Sequence, residues 1–309
     1  MKKMINTTHI EGLLYEHKLE VRESGPNSKN PGTKFIMGTI DIATDNACTN
    51  IVPVHFTYVT ATTSKGATNA TFTTLMNIVD GKYGTVMSDG QDKAVKIRID
   101  SALALNEFYT ERDGQEELVS AKRNEGGFVH VVDVLSEDEN TRNTFKCDIL
   151  ITGVKEVEAD EEKKLPAKAI VRGAIFDFRG ALLPVEFSAI NPGAIKYFTS
   201  LDASNSNPTF TCVWGRQVSE TIIKEYRTES AFGEDEVREV KNTRKDFVIT
   251  GASKEPYAWD TEETITAAAV AEAIATRETY LASIKQRQDE YKASKAAAAA
   301  APAKGGFNF

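Results

Sequence analysis

The chain has 309 residues, 41% of them hydrophobic, and a formal net charge of −8. That size and apolar fraction admit two packed domains and a tail, and no apolar run approaches the ~20 residues that cross a bilayer. The acidic balance gives no global basic signal for nucleic acid, although cations gathered on one face can still hold a polyanion.

Taken in order, Met1–Ile5 lacks the apolar stretch of a signal peptide. Gly12 to Val21 alternates and predicts a strand. Glu23 to Gly32 is rich in Ser, Gly, Pro and Asn and reads as a loop. Lys34 to Ile42 is a strand with Ile36, Gly38, Ile40 and Ile42 on one face, and Phe35, Met37, Thr39 and Asp41 on the other. After a turn over Asp45–Asn50, Ile51 to Val59 forms its partner, with Val52, Val54, Phe56 and Tyr58 sharing a face. Thr60 to Thr71 is a polar loop, and Phe72 to Val79 a short helix. Strands follow at Lys93–Ile99, with Lys96 and Arg98 outward, near Glu107–Thr110, and at Gly126–Val134. Phe145 to Val154 is expected to close this first unit.

The chain then repeats itself. Gly173-Ala-Ile175 with Pro184-Val185-Glu-Phe187 matches Gly38-Thr-Ile40 with Pro53-Val54-His-Phe56. Val213-Trp214-Gly-Arg216, leading to Tyr226-Arg227, matches Val95-Lys96-Ile-Arg98, leading to Tyr109. Phe247-Val-Ile249-Thr250-Gly251 matches Asp148-Ile-Leu-Ile151-Thr152-Gly153. Three matches in one order indicate two copies of a small all-β unit. The charged run Glu156–Lys164 marks the boundary. The expected organisation is a first unit over 1–160 with insertions, a second over 161–260, and an Ala-rich helix with a flexible aromatic tip over 261–309. Thr261 is the expected N-cap of that helix. Val270, Ile274, Leu281, Ile284 and Tyr291 form its apolar stripe, and its length predicts a distal half projecting from the barrels.

Pattern alone leaves an OB-fold and other small barrels open. The stretches Val171-Arg172-Gly173-Ala-Ile175, Leu183-Pro184-Val185-Glu-Phe187, Ser230-Ala-Phe232-Gly233-Glu234 and Phe247-Val-Ile249-Thr-Gly251 resemble the phage-type single-stranded-DNA-binding proteins built from tandem OB-folds. The likeness covers roughly residues 34–255. It implies a mainly β chain of two tandem OB-fold-like antiparallel barrels followed by a C-terminal α-helix and flexible tail. It also implies single-stranded DNA as the partner. The family's acidic tail with a terminal Phe is met only in part, because the last residues here carry lysines and no acid.

Non-specific single-strand binding needs cations along the backbone path and flat side chains for the bases. The expected nucleic-acid-binding residues are Lys96, Arg98 and Tyr109 in the first unit, and Arg172, Phe176, Phe178, Trp214, Arg216, Tyr226 and Arg227 in the second. Of these, Phe176 and Phe178 fit a core better than a surface, since a small barrel needs large apolar side chains, and Trp214 and Tyr226 fit either place. Phe307 and Phe309 are expected to bind a replication or recombination protein, and the C-terminal helix to self-associate.

No Walker loop, Gly-x-Gly-x-x-Gly or nucleophile elbow is present. His9, His17, His55 and His130 lack metal-ligand spacing with the cysteines. Cys48, Cys147 and Cys212 are an odd set, far apart, which points to reduced residues in a (host) cytoplasm. The expectation is therefore no enzyme, no cofactor and no membrane. A protein that coats single strands in phage replication or recombination is weighed against a virion or assembly protein using the same barrels and helix for protein contacts.

Overall fold

The computed structural model describes residues 4–159, 166–228, 232, 236–259, 261 and 265–300. The chain is mainly β, ending in a helix. Strands β1 (Asn6–Glu23), β2 (Lys34–Ala43) and β3 (Ile51–Thr60) precede helices α1 (Ala70–Val79) and α2 (Val86–Asp89). Then come β4 (Lys96–Arg112), β5 (Gln115–Val131), β6 (Asn143–Val157), β7 (Lys168–Phe176) and β8 (Leu182–Ala189). Helix α3 (Pro192–Thr199), β9 (Thr209–Thr228), β10 (Glu236–Ala252) and α4 (Ala267–Ala300) complete the order.

The pairing makes two rings of one plan. In the first, β1 pairs with β2, β2 with β3, β3 with β5, β5 with β4, and β4 returns to β1. In the second, β6, β7, β8, β10 and β9 repeat that order and β9 returns to β6. Every pair is antiparallel except the short parallel contacts β3–β5 and β8–β10. A five-stranded Greek-key ring with a helix between its third and fourth strands is the OB-fold plan. Each ring has its own core. Ile10, Ile36, Val54, Phe56 and Ile97 fill the first, with Leu75 of α1 as lid. Phe145, Ile149, Val171, Phe187 and Val213 fill the second, with Phe198 of α3.

The shared Gly-x-Ile now has a cause. A Cβ on Gly38 would meet the Lys18 carbonyl at 2.0 Å, and one on Gly173 the Leu150 carbonyl at 2.2 Å. Both glycines let the second strand of a ring cross the first at close range. The third match has a different origin. Phe145–Val154 does not close the first unit but lies in β6, the first strand of the second ring, whereas Phe247–Gly251 lies in β10, the last. Both stretches read Ile-Thr-Gly because both carry a bulge, at Thr152 and at Thr250. Lys93–Ile99 and Glu107–Thr110 are parts of one continuous strand, β4. A further bulge at Thr57 and Tyr58 switches the parity of β3, so Tyr58 turns outward and its ring lies 4.6 Å from that of Phe35.

Helix α4 starts later than the sequence suggests, with the Thr266 hydroxyl accepting the Ala269 amide at 3.1 Å. From Lys285 to Lys292 it lies along the β4–β5 hairpin, a stretch that the sequence predicts to project from the barrels. Gln288 bridges both backbone groups of Tyr109, and Lys285 and Lys292 reach Glu116 at 3.0 and 3.3 Å. Ala273 and Ile284 are its buried apolar residues, while Ile274 and Tyr291 of the expected stripe are exposed.

Candidate nucleic-acid interface

β1 and β6 pair over Asn6–Ile10 and Asn143–Cys147, which joins the rings edge to edge. The sheet therefore runs unbroken through β5, β4, β1, β6, β9 and β10. Alternation places every second residue on its outer face. One row runs Phe128, Asp100, His9, Thr144, Arg216. A neighbouring row holds His130, Arg98 and Glu11, and the row on the other side Thr7, Lys146 and Trp214. The face thus brings together Lys96, Arg98, Trp214 and Arg216, four of the residues expected from sequence, from both rings.

Each of these has a defined setting. Lys96 donates to the Asp133 carbonyl at 2.8 Å, and the Arg98 guanidinium lies 3.9 Å from Asp100. Arg216 is exposed and hydrogen-bonds Asn140. Trp214 is 41% exposed. Its indole lies over Gly251, where a Cβ would meet Nε1 at 2.3 Å. Sequence reasoning missed His9, Phe128 and Lys146. His9 lies 2.7 Å from Asp100, Phe128 is 70% exposed, and Lys146 is the cross-strand neighbour of Trp214. The signal for Lys146 was available, since it alternates outward between Phe145 and Cys147. The signal for Phe128 was not, because two glycines precede it at a bulge.

The remaining expected residues lie elsewhere. Phe176 is a correction. At 1% exposure, packed edge-on against Phe210, it belongs to a core cluster and presents no face to a base. Phe178 is 77% exposed at the β7–β8 turn, with the Arg179 guanidinium 4.9 Å from its ring. Tyr109 sits beneath α4, 5.8 Å from the Lys285 ammonium. Arg172 is on the outer side of β7, 2.6 Å from Glu186. Tyr226 and Arg227 pair with Arg238 and Val237 on the β9–β10 hairpin, and their own side chains lie outside the described residues. Phe307 and Phe309 lie outside the described residues.

Both rings extend their fourth and fifth strands into long hairpin arms. Pairing in β4–β5 continues to Arg112 and Gln115 around Asp113-Gly114, whose φ values of 53° and 74° define a turn suited to the strand twist. This arm lies on the second ring. Lys122 donates to the Glu186 carbonyl, with its ammonium 5.5 Å and 5.1 Å from the rings of Phe187 and Phe247. Burial holds the Lys122 pKa below the ordinary lysine value, against the pull of Asp246 and Glu186. At the base of the other arm, Gln217 and Asn124 exchange side-chain hydrogen bonds of 2.8 and 2.9 Å. Asn50 accepts the Ser219 amide at 2.6 Å and donates to the Gln217 carbonyl at 3.2 Å. These groups are buried and paired, so they fix the docking of one ring on the other.

Among the described residues, no cluster of His, Cys, Asp and Glu suits a metal ion, and no helix is long and apolar enough to cross a membrane. Burial raises the pKa of the Cys147 and Cys212 thiols.

The solved structures similar to this chain include the wild-type single-stranded DNA binding protein from Thermus aquaticus. It shows 11% identity and a TM-score of 0.46, over 83% of this chain and 96% of that one. A deletion mutant of the same protein gives 13% and 0.44, over 85% and 100%. A replication protein A heterotrimer bound to ssDNA gives 10% and 0.22, over 82% and 66%. At such identities and scores these are remote likenesses, and the fold assignment rests on the strand pairing itself. No curated protein matches the chain in sequence. The family model described as YorF matches residues 4–287, and the chain belongs to that family.

Proposed function

We propose that this protein binds single-stranded DNA with little sequence preference, in phage-type replication or recombination, and is a binding protein rather than an enzyme. The observation that carries the reading is the outer face shared by both rings. Lys96, Arg98, Lys146 and Arg216 stand on it beside the half-exposed Trp214 and the exposed Phe128. Cations along a path with flat side chains between them suit a polyanion whose bases are unstacked. Glu11 and Asp100 on the same face temper its charge. Phe178 with Arg179 extends the candidate surface at the β7–β8 turn.

The proposed organisation is two OB-like units docked at the β1–β6 seam, followed by the C-terminal helix. Self-association through α4 remains part of the proposal, supported by the exposed Ile274, Tyr280 and Tyr291. Recruitment of a replication or recombination protein is proposed for Phe307 and Phe309, and the host cytoplasm as the place of action.

The test is titration of labelled oligo-dT over a range of salt. Binding with a log–log slope of about −0.7 per phosphate contact is expected. Arg98→Gln and Arg216→Gln should each weaken binding and make the slope shallower. An assembly protein using the same barrels only for protein contacts predicts no affinity at low salt, and that result would overturn the reading.

A further inference from the structure

The first ring's arm does not lie flush on the second ring. A groove remains between them, lined by Ser120 and Lys122 of β5, Thr152 of β6, Arg172 of β7, and Pro184 and Glu186 of β8. It is separate from the six-stranded outer face and is built from both rings. We infer that this groove is a phosphate subsite on the path of the bound strand, assembled only when the two rings are docked. The inference rests on the single-strand reading given above.

Lys122 is the first reason. Its ammonium sits over the Phe187 and Phe247 rings of the second ring. A half-buried lysine ammonium lying against two aromatic rings normally pairs with a carboxylate. Here its hydrogen bond goes to the neutral carbonyl of Glu186. The carboxylates that act on it are engaged by other groups. Asp246 meets Lys168 at 3.5 Å and Ser188 at 2.7 Å, and the Glu186 side chain meets Arg172 at 2.6 Å. An anion entering the groove would complete the charge balance of Lys122. Burial of this ammonium, which favours its neutral form, would then be offset by the incoming charge.

Arg172 is the second. Its pair with Glu186 is half exposed on both sides, with side-chain accessibilities of 53% and 55%. Exposed pairs contribute little, so the guanidinium can exchange Glu186 for a phosphate at small cost. Thr152 is the third. It is the extra residue of the β6 bulge, and a bulge re-aims a side chain, here to the groove, where its hydroxyl is a donor.

The chemistry selects the backbone rather than a base. The aromatic rings at the groove are already covered by Lys122, which leaves two cations and the Thr152 hydroxyl but no free face for stacking, the Ser120 hydroxyl being committed to Glu107.

The experiment uses the full chain and compares Lys122→Met and Arg172→Gln with Arg98→Gln and Arg216→Gln. Oligo-dT affinity is read by anisotropy across a salt series, and the melting temperature is read with and without inorganic pyrophosphate at matched ionic strength. Each groove variant should make the salt slope shallower by about 0.7, the value of one phosphate contact on a single strand. Pyrophosphate should raise the melting temperature of the parent and not of Arg172→Gln. If both groove variants keep the parent slope and affinity while the outer-face variants lose them, the subsite is wrong and the function stands. If the parent does not bind oligo-dT, the function is wrong. The groove is then judged on pyrophosphate alone: stabilisation lost in Arg172→Gln retains an anion site, and no stabilisation overturns it. Should Lys122→Met fail to fold, Arg172→Gln, altered only at an exposed pair, decides the matter.

Discussion

Trp214 and Gly251 act as one unit. The indole lies on a backbone that carries no side chain, which leaves the ring partly buried beneath and open above. Trp214→Ala should leave the fold intact and weaken oligo-dT binding by about 1–3 kcal/mol, the usual worth of one stacked base. Unchanged affinity in a folded variant would remove Trp214 from the interface. Gly251→Ala should displace the indole and reduce binding through Trp214 without touching the strand. Histidines set an acid limit on stability. Burial lowers the pKa of both His17 and His55 below 6.5. The unfolded chain therefore binds more protons as pH falls below that value. Their contribution is complete above it and is lost as pH drops through the folded-state values. His55→Gln should flatten the fall of the urea midpoint between about pH 7.5 and pH 5.

At the scale of the element, α4 is a structural strap on the β4–β5 arm. Its docked face sets Val270, Ala273 and Ile284 beside polar residues, and the anchor is an ion pair between Arg277 and Glu107 at 2.5 Å, with the Glu107 side chain 1% exposed. Arg277→Met would leave that carboxylate buried without its cation, held by the Ser120 hydroxyl that donates to it at 2.5 Å, and one-sided removal from a buried pair costs about 3–5 kcal/mol. Urea unfolding should report a loss of that order, and Glu107→Gln made in the same background should restore part of it. Gln288 replaces a neighbouring strand by satisfying both the amide and the carbonyl of Tyr109. Gln288→Ala should therefore speed hydrogen exchange at the Tyr109 amide, leaving exchange in β6 unchanged. Val270 and Ile284 of the apolar stripe lie on the docked face, while Arg277 and Gln288, which carry its ion pair and hydrogen bonds, are residue types that hydrophobic periodicity assigns to solvent.

For the whole molecule, the decisive feature is that the rings share a sheet and a buried amide network. Gln217→Leu would leave the Asn124 side chain without its reciprocal partner at the seam, at a cost of about 1–3 kcal/mol. The unfolding transition should then broaden or split as the rings separate, whereas a single sharp transition at the parent midpoint would deny the seam a coupling role. If the two rings bind one strand as a unit, this variant should also lose affinity for long oligo-dT more than for short.

The sequence alone made legible the inward and outward faces of β2, of β3 up to Phe56 and of the start of β4, together with the pairwise repeat of β2 with β7, β3 with β8 and β4 with β9. Side-chain alternation and the crossing glycines Gly38 and Gly173 are local properties that survive in any single strand. Tertiary structure decided the rest. Phe176 and Phe178 stand two positions apart, yet one is sealed against Phe210 and the other is in solvent, because β7 ends between them and the chain turns away. The Ile-Thr-Gly stretches matched as sequence while serving as the first strand in one place and the last in the other, since a bulge leaves the same residues wherever it falls. Phe128 and His9 share a row through pairing within the first ring, and Lys146 joins the same candidate face only across the β1–β6 seam. Lys122 and Arg172 line one groove only because one ring's arm folds onto the other. Both arrangements bring together residues distant along the chain, and a pattern read within each segment carries no record of which segment will lie beside it.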